Sequence, residues 1–206
     1  GEQPRDAQYV KLNTNESPFP PSPRVVAAAE YEAGRLNLYS DPECMLLKQA
    51  AAKLYGVEPK NVLPVNGSDE ILYFAFLAFG DEQNPFAFAD ISYGFYPVYA
   101  RFCNVPSREI PLTDDFSIDY RDYLGIDEHV LIANPNAPTG ACLPLWQIEE
   151  IVRCNPDRVV IIVEAYIDFG GESSVPLIQK YDNLLVIQTV SKSRSLAGAR
   201  LGFGIG

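Results

Sequence analysis

The chain has 206 residues, with 16 Lys and Arg against 27 Asp and Glu, for a formal net charge of −11. That length suits one large domain or one and a half small ones, and a hydrophobic content of 47% is enough to fill a core. So acidic a surface repels polyanions, which argues against nucleic acid or an anionic membrane as a partner but leaves room for one small phosphate at a local basic spot.

Residues 1–40 are rich in Pro, Asn and Ser, as in "NTNESPFPPSP". They read as an extended arm with a short helix over 22–34, an N-terminal arm and small-domain segment. From residue 41 the pattern becomes regular, and 41–206 read as one large domain. "PECMLLKQAAAKLYG" has helical spacing and stops at Gly56. "NVLPVNGS" is a short strand running into the helix "DEILYFAFLAF". Then come strand "PFAFAD", helix "YGFYPVYARFC", strand "SREIPL", short helix "DYRDYL", strand "HVLIANP" and helix "LPLWQIEEIVRC". Strand "RVVIIVEAY", short helix "VPLIQKY" and strands "NLLVIQTVS" and "ARLGFGIG" complete the order. Strands alternate with helices and several are apolar throughout. The expectation is an α/β fold, three-layer α-β-α, around a mostly parallel sheet.

Ligands of such sheets bind beyond the carboxyl ends of the strands. The informative loops are therefore those that follow strands, and the polar motifs fall there. In "NGSDE", Gly67 permits a tight turn while Ser68 and Asp69 open a helix whose free N–H groups attract a phosphate, or merely form a capped helix start. "SKSRSLAGAR" sets Lys192 between Ser191 and Ser193, with Arg200 able to grip an anion bidentately. Cationic neighbours disfavour the charged form of Lys192, which suits a nucleophilic amine. The bland alternative is a solvated basic loop. "NPNAPTG" is a rigid turn carrying Asn134 and Asn136, Tyr166 lies just past an apolar strand, and Tyr93 begins a helix where its ring can stack on a flat ligand. Together these residues describe a flat, phosphorylated, carbonyl-bearing cofactor, and pyridoxal phosphate fits that description.

Cys44, Cys103, Cys142 and Cys154 form no C-x-x-C pair and read as reduced thiols of a cytoplasmic protein. The single histidine, His129, has no ligand spacing around it, so no metal site is expected. The N-terminus lacks the apolar core of a signal peptide, and "ILYFAFLAFG" is too short to span a bilayer.

"NGSDEIL", "NPNAPTG", "EAYIDF" and "SKSRSLAGARLGF", in this order and joined by "LYSDPE" and "NTNESPF", resemble the fold-type I pyridoxal-phosphate aminotransferases, and among them the histidinol-phosphate aminotransferases. The resemblance covers nearly the whole chain. It implies amino transfer between histidinol phosphate or a similar amino compound and a 2-oxo acid such as 2-oxoglutarate. Lys192 would bond to the cofactor aldehyde and shuttle the substrate proton. Ser68, Asp69, Ser191 and Arg200 would hold the phosphate, Tyr93 would stack on the ring, and Tyr166 would hydrogen-bond the ring oxygen, with Ser193 and Asn136 also among the cofactor-binding residues. Asn15 would lie near the substrate, and Tyr39 would reach the phosphate of a neighbouring subunit, which implies a homodimer. A decarboxylase of a phosphorylated amino acid such as threonine phosphate, and a non-catalytic scaffold of the same fold, remain as alternatives.

Three departures from the family pattern stand out. Val163 occupies the position of the aspartate that pairs with the protonated pyridine nitrogen. Successive strand residues face opposite ways, so Glu164 is not expected to replace it. Ala137 stands where an asparagine usually precedes Pro-Thr-Gly, leaving Asn136 or Asn134 to compensate. The sequence also stops soon after Arg200, so the expectation is a large domain lacking its C-terminal small domain, with weak activity or none.

Overall fold

The computed structural model describes residues 4–206. Helix α1 (Pro23–Ala33) begins where the Ser22 hydroxyl caps the N–H of Val25 and Pro23 presets the first turn. Among the described residues of 4–40 none is buried. Helix α2 (Met45–Tyr55) ends at Gly56, whose φ of +70° lets the chain turn back.

A seven-stranded sheet follows, built from β1 (Val62–Val65), β2 (Phe86–Ala89), β3 (Ser107–Ile110), β4 (His129–Ala133), β5 (Val160–Val163), β6 (Leu184–Thr189) and β7 (Gly202–Ile205). The order across it is β1-β7-β6-β5-β4-β2-β3, and β7 alone runs against the rest. This is the mostly parallel sheet expected from the apolar strands. Its residues divide by parity, as the pleat requires. Val130, Ile132, Val160, Ile162 and Val186 pack toward α2 and α5 (Leu145–Cys154), whereas Leu131, Ala133, Ile161, Val163 and Ile187 pack toward α3 (Ser68–Phe79) and α4 (Tyr96–Phe102). Two apolar layers thus sandwich the sheet, giving the three-layer α-β-α architecture.

The two short helices expected near residues 119 and 175 are 3₁₀ turns, Tyr120–Tyr123 and Val175–Gln179. Both are too short for α-helical hydrogen bonding to repay nucleation, and Pro176 removes a donor from the second.

One contact fixes the edge of the site. Gly202, at the start of β7, lies so close to the turn before α3 that a Cβ there would sit 2.7 Å from Gly67 C and from Ser68 N. Backbone atoms cannot give way as a flexible side chain would. Gly202→Ala is therefore expected to lower stability by about 2–3 kcal/mol through overpacking, read as an earlier urea midpoint with unchanged slope.

Candidate active site

A cavity of about 400 Å³ opens at the carboxyl ends of β4, β5 and β6. Its floor is laid by the last residues of those strands, Ala133, Val163 and Thr189, all buried. The loops that follow supply Pro135 and Ala137, Ala165 and Tyr166, and Ser191 and Lys192, respectively. Ser68, Asp69 and Leu72 of α3 close one side with Arg200, and Tyr93 and Tyr96 close another. Residues from six separate stretches meet because parallel strands deliver all their following loops to the same edge of the sheet.

The corner where α3 begins is built first from Gly67. Its φ of +81° turns the chain into α3 without a side-chain cap. Arg200 lies over it, and its guanidinium is 3.4 Å from the Asp69 carboxylate. Asp69 also accepts the Tyr93 hydroxyl at 2.8 Å. Burial, reinforced by the Asp69 charge, pushes the Tyr93 phenol well above its ordinary range, so it is a neutral donor. Ser191 is buried, and its hydroxyl lies 2.9 Å from that of Thr189.

Lys192 donates from Nζ to the Thr14 carbonyl at 2.7 Å, and its ammonium lies 5.8 Å from the centre of the Tyr166 ring. Two further bonds hold the N-terminal arm against the same loops: Asn15 Nδ2 to the Tyr166 hydroxyl at 2.9 Å and Ser195 Oγ to Ser17 Oγ at 2.8 Å. The arm, with no buried residue of its own, thereby walls the cavity through Lys11, Thr14 and Glu16.

The residues singled out in the sequence distribute as follows. Ser68, Asp69, Tyr93, Tyr166, Ser191, Lys192 and Arg200 share the cavity. Asn15 lines an adjoining cavity on the other side of Tyr166. Asn136 also lies there, but its amide is committed: Nδ2 donates to the Ile91 carbonyl and the Thr139 hydroxyl, and Oδ1 accepts from Ser92. Asn134 exchanges two bonds with the Leu143 backbone. The Asn136 amide is thus fully committed, and Asn134 lines neither cavity, so neither asparagine replaces the group lost at Ala137. Ser193 turns away from the cavity and bonds to Asp168. Tyr39 is fully exposed and touches neither cavity. Sequence reasoning passed over Lys11, Thr14, Tyr96 and Thr189. Tyr93 lies three residues before α4 and does not begin a helix as expected, because the helix starts only at Tyr96, where Pro97 presets its first turn; Tyr96 had a signal in its nearness to Tyr93, whereas Thr14 reaches Lys192 across 178 residues of sequence and had none.

Val163 and Glu164 follow the parity expected of them. Val163 faces the cavity, and Glu164 lies buried on the opposite face of the sheet. There Glu164 accepts from the Ser173 hydroxyl, the Ser174 N–H and Gln188 Nε2. Burial pushes its carboxyl above the ordinary range, and these three donors oppose the rise. Glu16 and Asp69 are the acids lining the cavity, and both are already ion-paired, to Lys11 and Arg200.

The donor set fits a phosphorylated planar aldehyde. The Lys192 amine, the hydroxyls of Ser68, Thr189 and Ser191 and the Arg200 guanidinium share a cavity whose floor is largely apolar, with tyrosine rings at its wall, while the second amine, Lys11, is paired to Glu16. Val163 offers no partner for a ring nitrogen, and Ala137 none for a ring oxygen. Among the described residues no group of three or more His, Cys, Asp and Glu side chains is arranged to hold a metal, and no helix is long and apolar enough to cross a membrane. All four cysteines are free.

An apolar-floored cavity at the strand ends of an α/β sheet, with a lysine and an arginine at its mouth, agrees with what comparison with known proteins finds. The chain belongs to the aminotransferase class I and II family, which matches residues 7–206. More particularly, it is 53% identical over 208 residues to histidinol-phosphate aminotransferase of Marinomonas sp. (strain MWYL1), covering all of this chain and 59% of that protein. Histidinol-phosphate aminotransferase from Sinorhizobium meliloti, solved in complex with pyridoxal-5'-phosphate, superposes with a TM-score of 0.84 at 27% identity, over 94% of this chain and 55% of that one. L-threonine-O-3-phosphate decarboxylase from Porphyromonas gingivalis shares the fold, with a TM-score of 0.77 at 21% identity over 89% of this chain and 55% of that one. The chain thus spans about three fifths of the length of the curated relatives it matches.

Proposed function

We propose that the full-length protein is a pyridoxal-phosphate-dependent aminotransferase. It would move an amino group between histidinol phosphate, or a closely similar amino compound, and a 2-oxo acid such as 2-oxoglutarate, in histidine biosynthesis. The observation that carries this reading is the Lys192 amine opening into the cavity that also holds Ser68, Tyr93, Tyr166, Ser191 and Arg200, in a chain 53% identical to a histidinol-phosphate aminotransferase.

Pyridoxal phosphate, when bound, supplies an aldehyde that condenses with amines and a ring that draws electrons from the substrate α-carbon. This chain's residues do the rest. Arg200, Ser191 and the start of α3 at Ser68 and Asp69 hold the phosphate through charge and N–H donors. Tyr93 flanks the ring. Tyr166, whose hydroxyl accepts from Asn15, keeps its own proton to donate. Lys192, which donates to the Thr14 carbonyl, would be the amine that holds the cofactor and would accept and return the substrate α-carbon proton. Ser193 and Asn136 would act from behind, Ser193 through Asp168 and Asn136 by shaping the adjoining cavity.

The protein would work in the cytoplasm as a homodimer, with the arm and small-domain segment in 1–40 and the cofactor domain in 41–206. The full exposure of Tyr39 supports its reaching a neighbouring subunit's site.

Incubation with pyridoxal phosphate followed by borohydride is expected to leave the cofactor's mass on Lys192 alone, and on no lysine in Lys192→Ala. Labelling spread over surface lysines would refute the assignment. Release of carbon dioxide without amino transfer to 2-oxoglutarate would instead favour a decarboxylase. A chain that takes up no cofactor would favour a scaffold.

A further inference from the structure

The loop that carries Lys192 is braced by residues that do not line the cavity, and Arg194 makes most of the bonds. Arg194 does not line the cavity. Its guanidinium forks onto both oxygens of Asp168, Nε at 3.0 Å and Nη2 at 3.3 Å. Nη1 donates to the Tyr55 hydroxyl at 2.9 Å and Nη2 to Gln188 Oε1 at 3.3 Å. Gln188, almost fully buried, passes its own Nε2 on to Glu164 at 2.8 Å. One side chain thus joins α2, β6 and the turn after β5 to the lysine loop.

The geometry matters because of where Asp168 lies. It follows Tyr166 by two residues, in the same short turn. Lys192 precedes Arg194 by two, in a turn closed by Ser195 N–H to the Lys192 carbonyl and Leu196 N–H to the Val190 carbonyl, both 3.1 Å. Ser193 adds a second bond from the lysine loop to Asp168. The Asp168–Arg194 fork therefore sets the spacing between the turn bearing Tyr166 and the loop bearing Lys192. An Arg fork fixes both distance and angle, which a lysine's single ammonium does not.

We propose that Arg194 is a positioning residue that, through Asp168, holds the Lys192 amine in register with Tyr166. The proposal rests on the reading of Lys192 as the reactive amine.

The test is made on the full-length protein, as parent, Arg194→Ala and Arg194→Lys. Hydrogen exchange is followed first without cofactor, so that this arm does not depend on the proposed activity. In Arg194→Ala the amides of Ser195 and Leu196 are expected to exchange ~30-fold faster, while those of β4 and β5 keep the parent rate. Arg194→Lys is expected to fall between, because charge without the fork restores only part of the restraint. In the second arm, borohydride-trapped labelling of Lys192 by pyridoxal phosphate is expected to slow by about 10-fold in Arg194→Ala, with the label still confined to Lys192. Unchanged exchange at Ser195 and Leu196 would overturn the proposal. So would exchange raised equally throughout the sheet, or full rescue by lysine. If the parent itself takes no label at Lys192, the functional reading fails while the exchange result still decides the brace.

Discussion

Val163→Asp is expected to raise the single-turnover rate of amino transfer in the full-length protein by about 100-fold or more, the equivalent of roughly 3 kcal/mol of charge stabilisation in a buried pair. The argument starts from the floor of the cavity. Val163 ends β5, is buried, and packs with Ala133, Leu131 and Ile187 on the face toward α3 and α4. A pyridine nitrogen seated there meets hydrocarbon, and burial without an acid disfavours its protonated form. The two acids lining the cavity are already ion-paired, to Arg200 and to Lys11. Glu164 is committed to three donors on the far side of the sheet. An aspartate at 163 supplies the missing counter-charge. It also buries a carboxylate that has no partner until cofactor binds, so the cofactor-free variant should unfold about 3 kcal/mol more easily and regain that stability with pyridoxal phosphate. Stopped-flow rates and thermal melts with and without cofactor check both arms. Val163→Asn, similar in shape but uncharged, should gain little. Equal rates for parent and Val163→Asp would defeat the argument.

Arg200→Ala is expected to weaken pyridoxal phosphate binding by ~30-fold or more while leaving the affinity for pyridoxal, which has no phosphate, nearly unchanged. Arg200 is the cation at the corner formed by Ser68 and Asp69, and charge-assisted hydrogen bonds of this kind contribute roughly 2–3 kcal/mol, of which each 1.4 is tenfold in affinity. Its removal also leaves Asp69 without its ion-pair partner at the corner where the phosphate is proposed to bind. Paired fluorescence titrations with the two ligands give the answer, and an equal loss for both would show that Arg200 acts on the fold and not on the phosphate.

Much of this was legible in the sequence because periodicity and parity are local properties. The apolar run of β4 and β5 demanded a covered parallel sheet, Gly56 and Ser22 marked helix ends, and strand alternation alone placed Glu164 away from the cavity. The motif residues at strand ends were found because parallel strands must release their loops on one edge. Contacts across long sequence separations were not legible. Nothing in "NTNES" says that the Thr14 carbonyl will meet a lysine 178 residues later. Nor does Asn136 reveal that its amide will be spent on Ile91 and Thr139, or Ser193 that it will turn toward Asp168. Such choices between two directions of one side chain are decided by which partners packing brings near.

The opposite facing of Val163 and Glu164 makes the backbone layer of the sheet an insulating partition. A carboxyl group lies one peptide unit from the cavity, yet it belongs to another compartment with its own donors. A one-residue slip of β5 would exchange the two sides, placing acid beneath the ligand and hydrocarbon against Ser173 and Ser174. Substitution at position 163 can therefore retune the chemistry on one side of the partition while the polar cluster on the other keeps its full set of bonds.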